Sequence, residues 1–395
     1  MNVYAGPPRA MTRVTLRLVP LTPVHIGDGT ELRPDEYFVD DPSVAGPRYD
    51  EWGEEIEEES QPPVLRRFDP AAATRKMSAT ERQNFRAALD KASLEEAAKL
   101  LRQAAARLSL PALPITKAAL DEVRRPDKEV RPFVRSGGRP YIPGSSIKGA
   151  FRTALASAAL PREARAADLW NHDAAMKEAF GLGPNDTSTD PLRFLSVSDS
   201  FLPEGATLID RSEVVKADGV PRHPPIRAAQ ERTLALALEE QAPVIEVVIG
   251  LDGRAAQAPL RRAARFTAED LILRTNSFHQ HLFTQEAKRF LPRRTAERLQ
   301  RVLASHKGPD GAPPLGQDGS PTRGFVLLRL GRFGHFESKS LEGVRRGDFL
   351  FPKIKKIRRG TPNEWGTTRT VTRDANNNPI PFGWVIGWVV KEERV

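Results

Sequence analysis

The chain has 395 residues, with 60 Lys and Arg against 51 Asp and Glu, a net charge of +9 and an isoelectric point near 9.8, which favours a polyanionic partner. It contains no cysteine, which excludes disulfides, thiolate nucleophiles and thiolate metal sites and fits a reducing compartment, the cytoplasm. The stretch from Met1 to Arg13 holds Pro7, Pro8 and charge but no apolar h-region, and no run approaches about 18 apolar residues, so neither secretion nor membrane spanning is expected.

Arg13 to Val19 alternates, with Val14, Leu16 and Leu18 on one face and Arg13, Thr15 and Arg17 on the other, the pattern of a half-buried strand. It runs into Pro20 to Gly29, a turn-rich segment carrying His25, Gly27 and Gly29, where glycine permits close backbone approach. Asp50, Glu51, Glu54, Glu55, Glu57, Glu58 and Glu59 then form an acidic run; taking these seven carboxylates out of the total of +9 leaves +16 on the rest, so positive charge is concentrated elsewhere. From Ala71 to Leu108 an Ala, Leu, Glu, Lys and Arg composition with helical period predicts two or three helices.

Arg139 to Leu155 carries the strongest chemical signal. Pro143-Gly144 marks a turn, Ser145 or Ser146 is a good N-cap, and Ile147, Phe151, Ala154 and Leu155 recur at helical spacing. Lys148 and Arg152 share the other face next to the positive end of the helix dipole, a place where a phosphate would be attracted; an ordinary capped helix with solvated basic residues has the same pattern. Leu192 to Val197 reads as a short strand leading to Asp199, and Phe201 to Arg232 as a projecting arm with a hairpin around Leu208 to Val215. Val244 to Gly250 is a strand, and Thr267 to Ser305 a long helix broken near Pro292, followed by a linker from Gly308 to Pro321. Gly324 to Leu330 is a strand that empties into Gly331-Arg332-Phe333-Gly334-His335-Phe336-Glu337-Ser338-Lys339-Ser340. Aromatics there can stack on unpaired bases while Arg, Lys and Ser hold phosphates, or Phe333 and Phe336 can pack inward. Lys353, Lys355, Lys356, Arg358 and Arg359 extend the positive charge, and Phe382 to Val390 closes the chain as a buried strand.

Taken in order, the segments Leu21 to Gly29, Tyr141 to Leu155 and Gly331 to Ser340 resemble the RAMP superfamily of CRISPR-associated RNA-binding proteins, and within it the subunit that caps the crRNA 3′ end in the type III-A effector, the Csm complex. The resemblance implies an α+β fold with a ferredoxin-like, RRM-type core, duplicated in many relatives. On that pattern an N-terminal ferredoxin-like region spans 12–225, with a helical insertion at about 61–112 and the motif helix at about 145–159, and a C-terminal one spans 226–395 with the glycine loop at 331–340. It implies contact with the 3′ part of the crRNA through His25, Gly27, Ser145, Ser146, Lys148, Arg152, Arg332, Phe333, His335, Phe336, Ser338 and Lys339. The implied partners are crRNA, the other Csm-complex subunits, chiefly the repeated backbone RAMP subunit, and host trimming nucleases; a membrane is not among them. The arm and the sheet surface are expected to meet the backbone subunit.

Neither glycine segment has P-loop spacing, so ATP chemistry is not indicated, and no metal or small cofactor is expected. Some RAMP relatives are endoribonucleases that use a histidine as general acid or base, and His25 and His335 are the residues that could serve a metal-independent cleavage of repeat RNA here. The expected role is non-catalytic, because a lone histidine near RNA more often stacks or hydrogen-bonds. A general RNA chaperone with an RRM-like sheet is the third reading.

Overall fold

The computed structural model describes residues 10–41, 62–125, 129–160, 172–183, 190–223, 225–257, 260–341 and 365–395. The acidic run at 50–59 and the basic run at 353–359 lie outside them. The strands of the two large sheets are, in chain order, β1 (Met11–Pro20), β2 (Val130–Arg131), β3 (Leu195–Val197), β4 (Thr207–Val215), β5 (Arg227–Thr233), β6 (Ile245–Asp252), β7 (Phe325–Arg329), β8 (Arg369–Arg373), β9 (Pro379–Pro381) and β10 (Trp384–Arg394). The described helices are α1 (Pro70–Lys76), α2 (Ala79–Asp90), α3 (Leu94–Ala105), α4 (Lys117–Val123), α5 (Gly144–Ala159), α6 (His172–Phe180), α7 (Ala268–Phe290) and α8 (Arg293–Ser305).

The first sheet has the order β7-β10-β1-β6-β3, every pair antiparallel. The alternation of β1 is realised as expected: Val14, Leu16 and Leu18 are buried in the core, while Arg13 and Arg17 are exposed on the outer face. Ile147, Phe151 and Leu155 of α5 pack onto that inner face with Val247 and Ile249 of β6. Helix α7 starts in a capping box, in which the Thr267 hydroxyl takes the Asp270 amide and the Asp270 carboxylate takes the Thr267 amide, and it ends at Leu291-Pro292, the expected break. Its buried Asn276 serves the edge strand β7: Nδ2 donates to the Phe325 carbonyl at 2.6 Å and the Leu327 amide donates to Oδ1 at 2.8 Å. A sheet edge is thereby closed by one side-chain amide. Phe325, Leu327, Trp384, Ile386 and Trp388 form a second core with Phe278, Leu282 and Phe283 of α7 and Leu299 and Leu303 of α8.

The second sheet has the order β9-β8-β4-β5-β2. Here the expectation of a projecting arm over Phe201 to Arg232 is corrected. The hairpin β4–β5 is the centre of this sheet, and Ile209, Asp210, Ser212, Gln230, Glu231, Arg232 and Thr233 are all buried. These strands look solvated in sequence because they are charged, but their charges are paired inside: Arg232 Nε donates to Asp210 at 2.6 Å, its Nη1 to Glu240 at 2.8 Å, and Arg135 grips Glu231 with two bonds of 2.6 and 2.7 Å. Both sheets draw strands from each half of the chain, and β4 and β5 lie on either side of residue 225. The insertion after β1 resolves into the three helices α1 to α3 with their own small core around Phe68, Met77 and Leu101.

Residues 21–26 run between the two sheets and bind both. Trp384 of β10 donates its amide to the Thr22 hydroxyl at 2.9 Å on one side, and on the other Val24 and Thr233 of β5 exchange bonds of 3.1 and 3.0 Å. Among the described residues no helix is long and apolar enough to cross a membrane.

Candidate nucleic-acid interface

The threaded segment delivers His25 to Gly29 to the place where α5 begins and the loop after β7 turns back. Three stretches far apart in sequence line one cleft of about 640 Å³: Ile26 to Gly29, then Ser145, Ser146, Gly149 and Arg152 of α5, then Arg329 to Arg332 with Ser338 and Lys339. The join is tight. The Arg332 amide donates to the His25 carbonyl at 2.9 Å, and Gly331, at φ +87°, lies so close that a Cβ there would fall 2.4 Å from the same oxygen.

The start of α5 differs from expectation. The helix begins at Gly144 with Pro143 in the cap position, and neither serine caps it; instead the Asp199 carboxylate, arriving from the end of β3, accepts the Gly144 amide at 2.7 Å. A Cβ at 144 would lie 2.2 Å from the Val197 carbonyl oxygen, so only glycine lets the helix start press against this strand end. An aspartate already meets the first amide and the dipole there, which leaves Ser145, exposed, and Ser146, half-buried, to face the cleft.

The expected cations divide. Lys148 donates to the Leu195 carbonyl at 2.7 Å and does not line the cleft, whereas Arg152 lines it while paired with Asp190 at 2.7 Å and lying over the Phe180 ring. Arg332 and Lys339 are exposed, line the cleft and make no ion pair with the described residues. Although the Lys339 side chain reaches solvent, the partial loss of hydration against the cleft wall, then Arg329 and Arg332, hold its ammonium below its ordinary pKa. One carboxylate, Asp28, also faces the cleft, tied into a turn by Thr30.

The aromatic and histidine side chains turn inward. His25 is 1% exposed; its Nδ1 donates to the Glu231 carbonyl at 2.7 Å and its ring stacks on Phe333 at 5.6 Å. Burial pushes its pKa down to about 4, so it is neutral near pH 7, and Gly27 lies against its Nε2 edge. Phe333 also packs on Phe382 at 5.1 Å, and Phe336 is half-buried beside Gly366. His335 accepts the Thr370 amide of β8 at Nε2, 3.3 Å, and burial with the nearby Arg369 and Arg329 lowers its pKa to about 3. The Ser338 hydroxyl donates to the Gly334 carbonyl at 2.7 Å. Phe333, Phe336, His335 and Ser338 therefore shape the loop, with only Ser338 of the four reaching the cleft wall.

What holds this loop is a buried ion network absent from the expected residues. Glu286 of α7, 2% exposed, accepts from Arg329, from Arg369 Nε at 2.7 Å and from Trp384 Nε1 at 2.7 Å, and Arg369 passes on to Glu337 at 2.8 Å. Burial opposes the Glu286 charge, but Arg329 and Arg369 overcome it and hold its pKa at about 2. Arg329 Nη2 then donates to the Phe333 carbonyl at 3.2 Å, so the network fixes the turn that presents Arg332. Glu286 stands in the last turns of a periodic helix, four residues before its end at Phe290, where its buried place has no sequence signal; Gly149 had one, a glycine inside a helical pattern.

The chain matches the family model described as the RAMP superfamily over residues 17–304, a span that takes in the His25 to Gly29 segment and the start of α5, Gly144-Ser145-Ser146-Ile147-Lys148-Gly149. The chain belongs to the RAMP superfamily. No curated protein matches it. Among solved structures, this RAMP protein is similar to a chain of the cryo-EM structure of a Csm–crRNA–target RNA ternary complex of a type III-A CRISPR–Cas system, with 20% identity, a TM-score of 0.60, and coverage of 95% of this chain and 100% of that one. It also aligns with the crystal structure of T. onnurineus Csm5 at 20% identity and a TM-score of 0.49, over 94% of this chain and 99% of that one.

Proposed function

We propose that this RAMP protein is a non-catalytic RNA-binding subunit of a type III-A CRISPR effector that holds the 3′ part of the crRNA and caps the backbone filament, supporting crRNA maturation in antiviral defence. The observation that carries the reading is the cleft itself, in which Arg332 and Lys339 stand without ion-pair partners among the described residues beside exposed Ser145 and the open face of α5. Unpaired cations next to hydroxyl donors are what a phosphodiester backbone needs. A ferredoxin-like core is supported by the strand order β10-β1-β6-β3, with α5 leading from β1 to β3 and α7 following β6, to which β7 is added as an edge. The type III-A assignment, with crRNA and Csm-complex subunits as partners, is supported by the fold shared with a chain of the Csm–crRNA–target complex; recruitment of trimming nucleases belongs to the same proposal.

The non-catalytic role is supported by the two histidines, each with one ring nitrogen committed to a backbone group and each held neutral by burial. The deciding experiment measures binding of single-stranded crRNA by anisotropy across a salt series, for the full chain and for Arg332→Ala/Lys339→Ala. Wild-type affinity should fall with salt, and removing two phosphate contacts should flatten the log–log slope by about 1.4, at about 0.7 per contact for single strands. Salt-independent wild-type binding, or an unchanged slope in the double variant, refutes the assignment. Incubated with labelled repeat RNA without metal, wild type should leave it intact; cleavage at one defined bond, lost in His25→Ala or His335→Ala, would turn the reading to an endoribonuclease.

A further inference from the structure

The aromatics of the 331–340 loop are turned inward, but another aromatic stands outside, on the small sheet that leads into α5. Phe201 is 46% exposed, the Arg139 guanidinium lies over its ring at 4.8 Å from the centroid, and Tyr141 leans on it at 5.8 Å and 43°. All three sit on one small sheet, Arg135–Ser136, Arg139–Ile142 and Ser200–Phe201, in which Tyr141 is directly opposite Phe201. This sheet is the mount of α5: Ile142 is followed by Pro143 and the helix, and Phe201 is two residues from Asp199, which accepts the Gly144 amide. Tyr141 precedes the cleft residue Ser145 by four positions, so at most about 14 Å of chain separates ledge from cleft. Arg139 is exposed and makes no ion pair with the described residues.

We propose that Arg139, Tyr141 and Phe201 form a stacking ledge for an unpaired base of the RNA strand whose phosphates lie in the cleft, an inference that rests on the RNA-binding reading above. A guanidinium over an aromatic ring offers a base a planar, positively charged group without demanding a particular hydrogen-bonding edge, so the ledge is tolerant of sequence. The chemistry favours RNA over a protein partner because the ring is capped by an unpaired cation, and no other exposed large apolar side chain of the described residues lies on this small sheet, whereas protein docking surfaces present contiguous apolar area.

The test titrates the full chain with a short oligouridylate and with the same oligomer carrying abasic riboses. Phe201→Ala should weaken binding of the base-bearing strand about 5- to 150-fold, the effect of losing one stacking partner, and leave the abasic strand unaffected. Arg139→Gln, at an exposed position, should do the same in the same direction and serves if the alanine variant does not fold. Wild-type affinity in both ledge variants, alongside weakened binding in Arg332→Ala/Lys339→Ala, overturns the ledge and leaves the cleft standing. Ledge variants that bind RNA normally but fail to assemble with a neighbouring subunit overturn it in favour of a protein contact. A wild type that binds neither strand removes the RNA reading and the ledge together.

Discussion

Gly149 gives the sharpest test of whether the cleft serves a ligand. It lies inside α5 and is exposed, and a Cβ built there meets nothing within 4 Å, so the folded chain has no packing use for a glycine at this position. Glycine in a helix interior costs about 0.5–1 kcal/mol against alanine, and Gly149→Ala should recover that amount. With unfolding entropy of about 2.1 cal/mol/K per residue over 395 residues, or about 0.8 kcal/mol/K, a chain melting as one unit should gain about 1 °C in Tm. If the bare backbone is kept so that a sugar-phosphate strand can lie against it, the same methyl should cost about 1–3 kcal/mol in the complex, a loss of about 5- to 150-fold in Kd. Calorimetry and anisotropy titration on one preparation read both signs. A variant that is more stable and binds RNA with wild-type affinity refutes the reasoning.

Glu286→Gln should destabilise by about 3–5 kcal/mol, because it leaves Arg329 and Arg369 buried with only Glu337 between them, and a urea midpoint equal to wild type would contradict the role given to this network. The lowered His25 pKa sets a pH dependence: the unfolded chain takes up a proton near 6.5 that the folded chain refuses until about 4, so stability is fully present above 6.5 and is lost as pH falls through that window. Between pH 7 and 5 the loss from this residue is about 2 kcal/mol, and His25→Asn should show a shallower fall of Tm over that range. Parallel curves for the two proteins would remove His25 as the source.

Period and punctuation made much of the fold readable, the two faces of β1 and the break at Pro292 among it, while the three segments that meet in the cleft were grouped by the family resemblance. Three things were legible in neither way. The hairpin β4–β5 is polar in sequence and buried in fact, since Asp210, Glu231 and Arg232 satisfy each other and their neighbours inside, and single-strand alternation carries no information about partners 94 and 162 residues away, such as Thr116 and Thr372 for Asp210. The cap of α5 comes from Asp199, 55 positions downstream, while two serines of good local propensity go unused. Exposure decided the aromatics: Phe333 and Phe336 sit in the loop whose composition suggested stacking, yet the open ring is Phe201, whose neighbours in sequence carry no such signal.

The charged interior of the second sheet also acts as a proofreading device during folding. Leu208 lies opposite Arg232 and Asp210 opposite Gln230, with Arg232 reaching diagonally to Asp210. Sliding β5 by a single residue turns every side chain to the other face, and would strand Arg232, Asp210 and Glu231 as lone charges in a dry layer. An apolar hairpin shifted by one place still buries grease against grease, but here the misaligned state is penalised by whole unpaired ions. Alternative pairings of this hairpin are thus rejected by charge as the rest of the sheet closes over them and the ions lose their water.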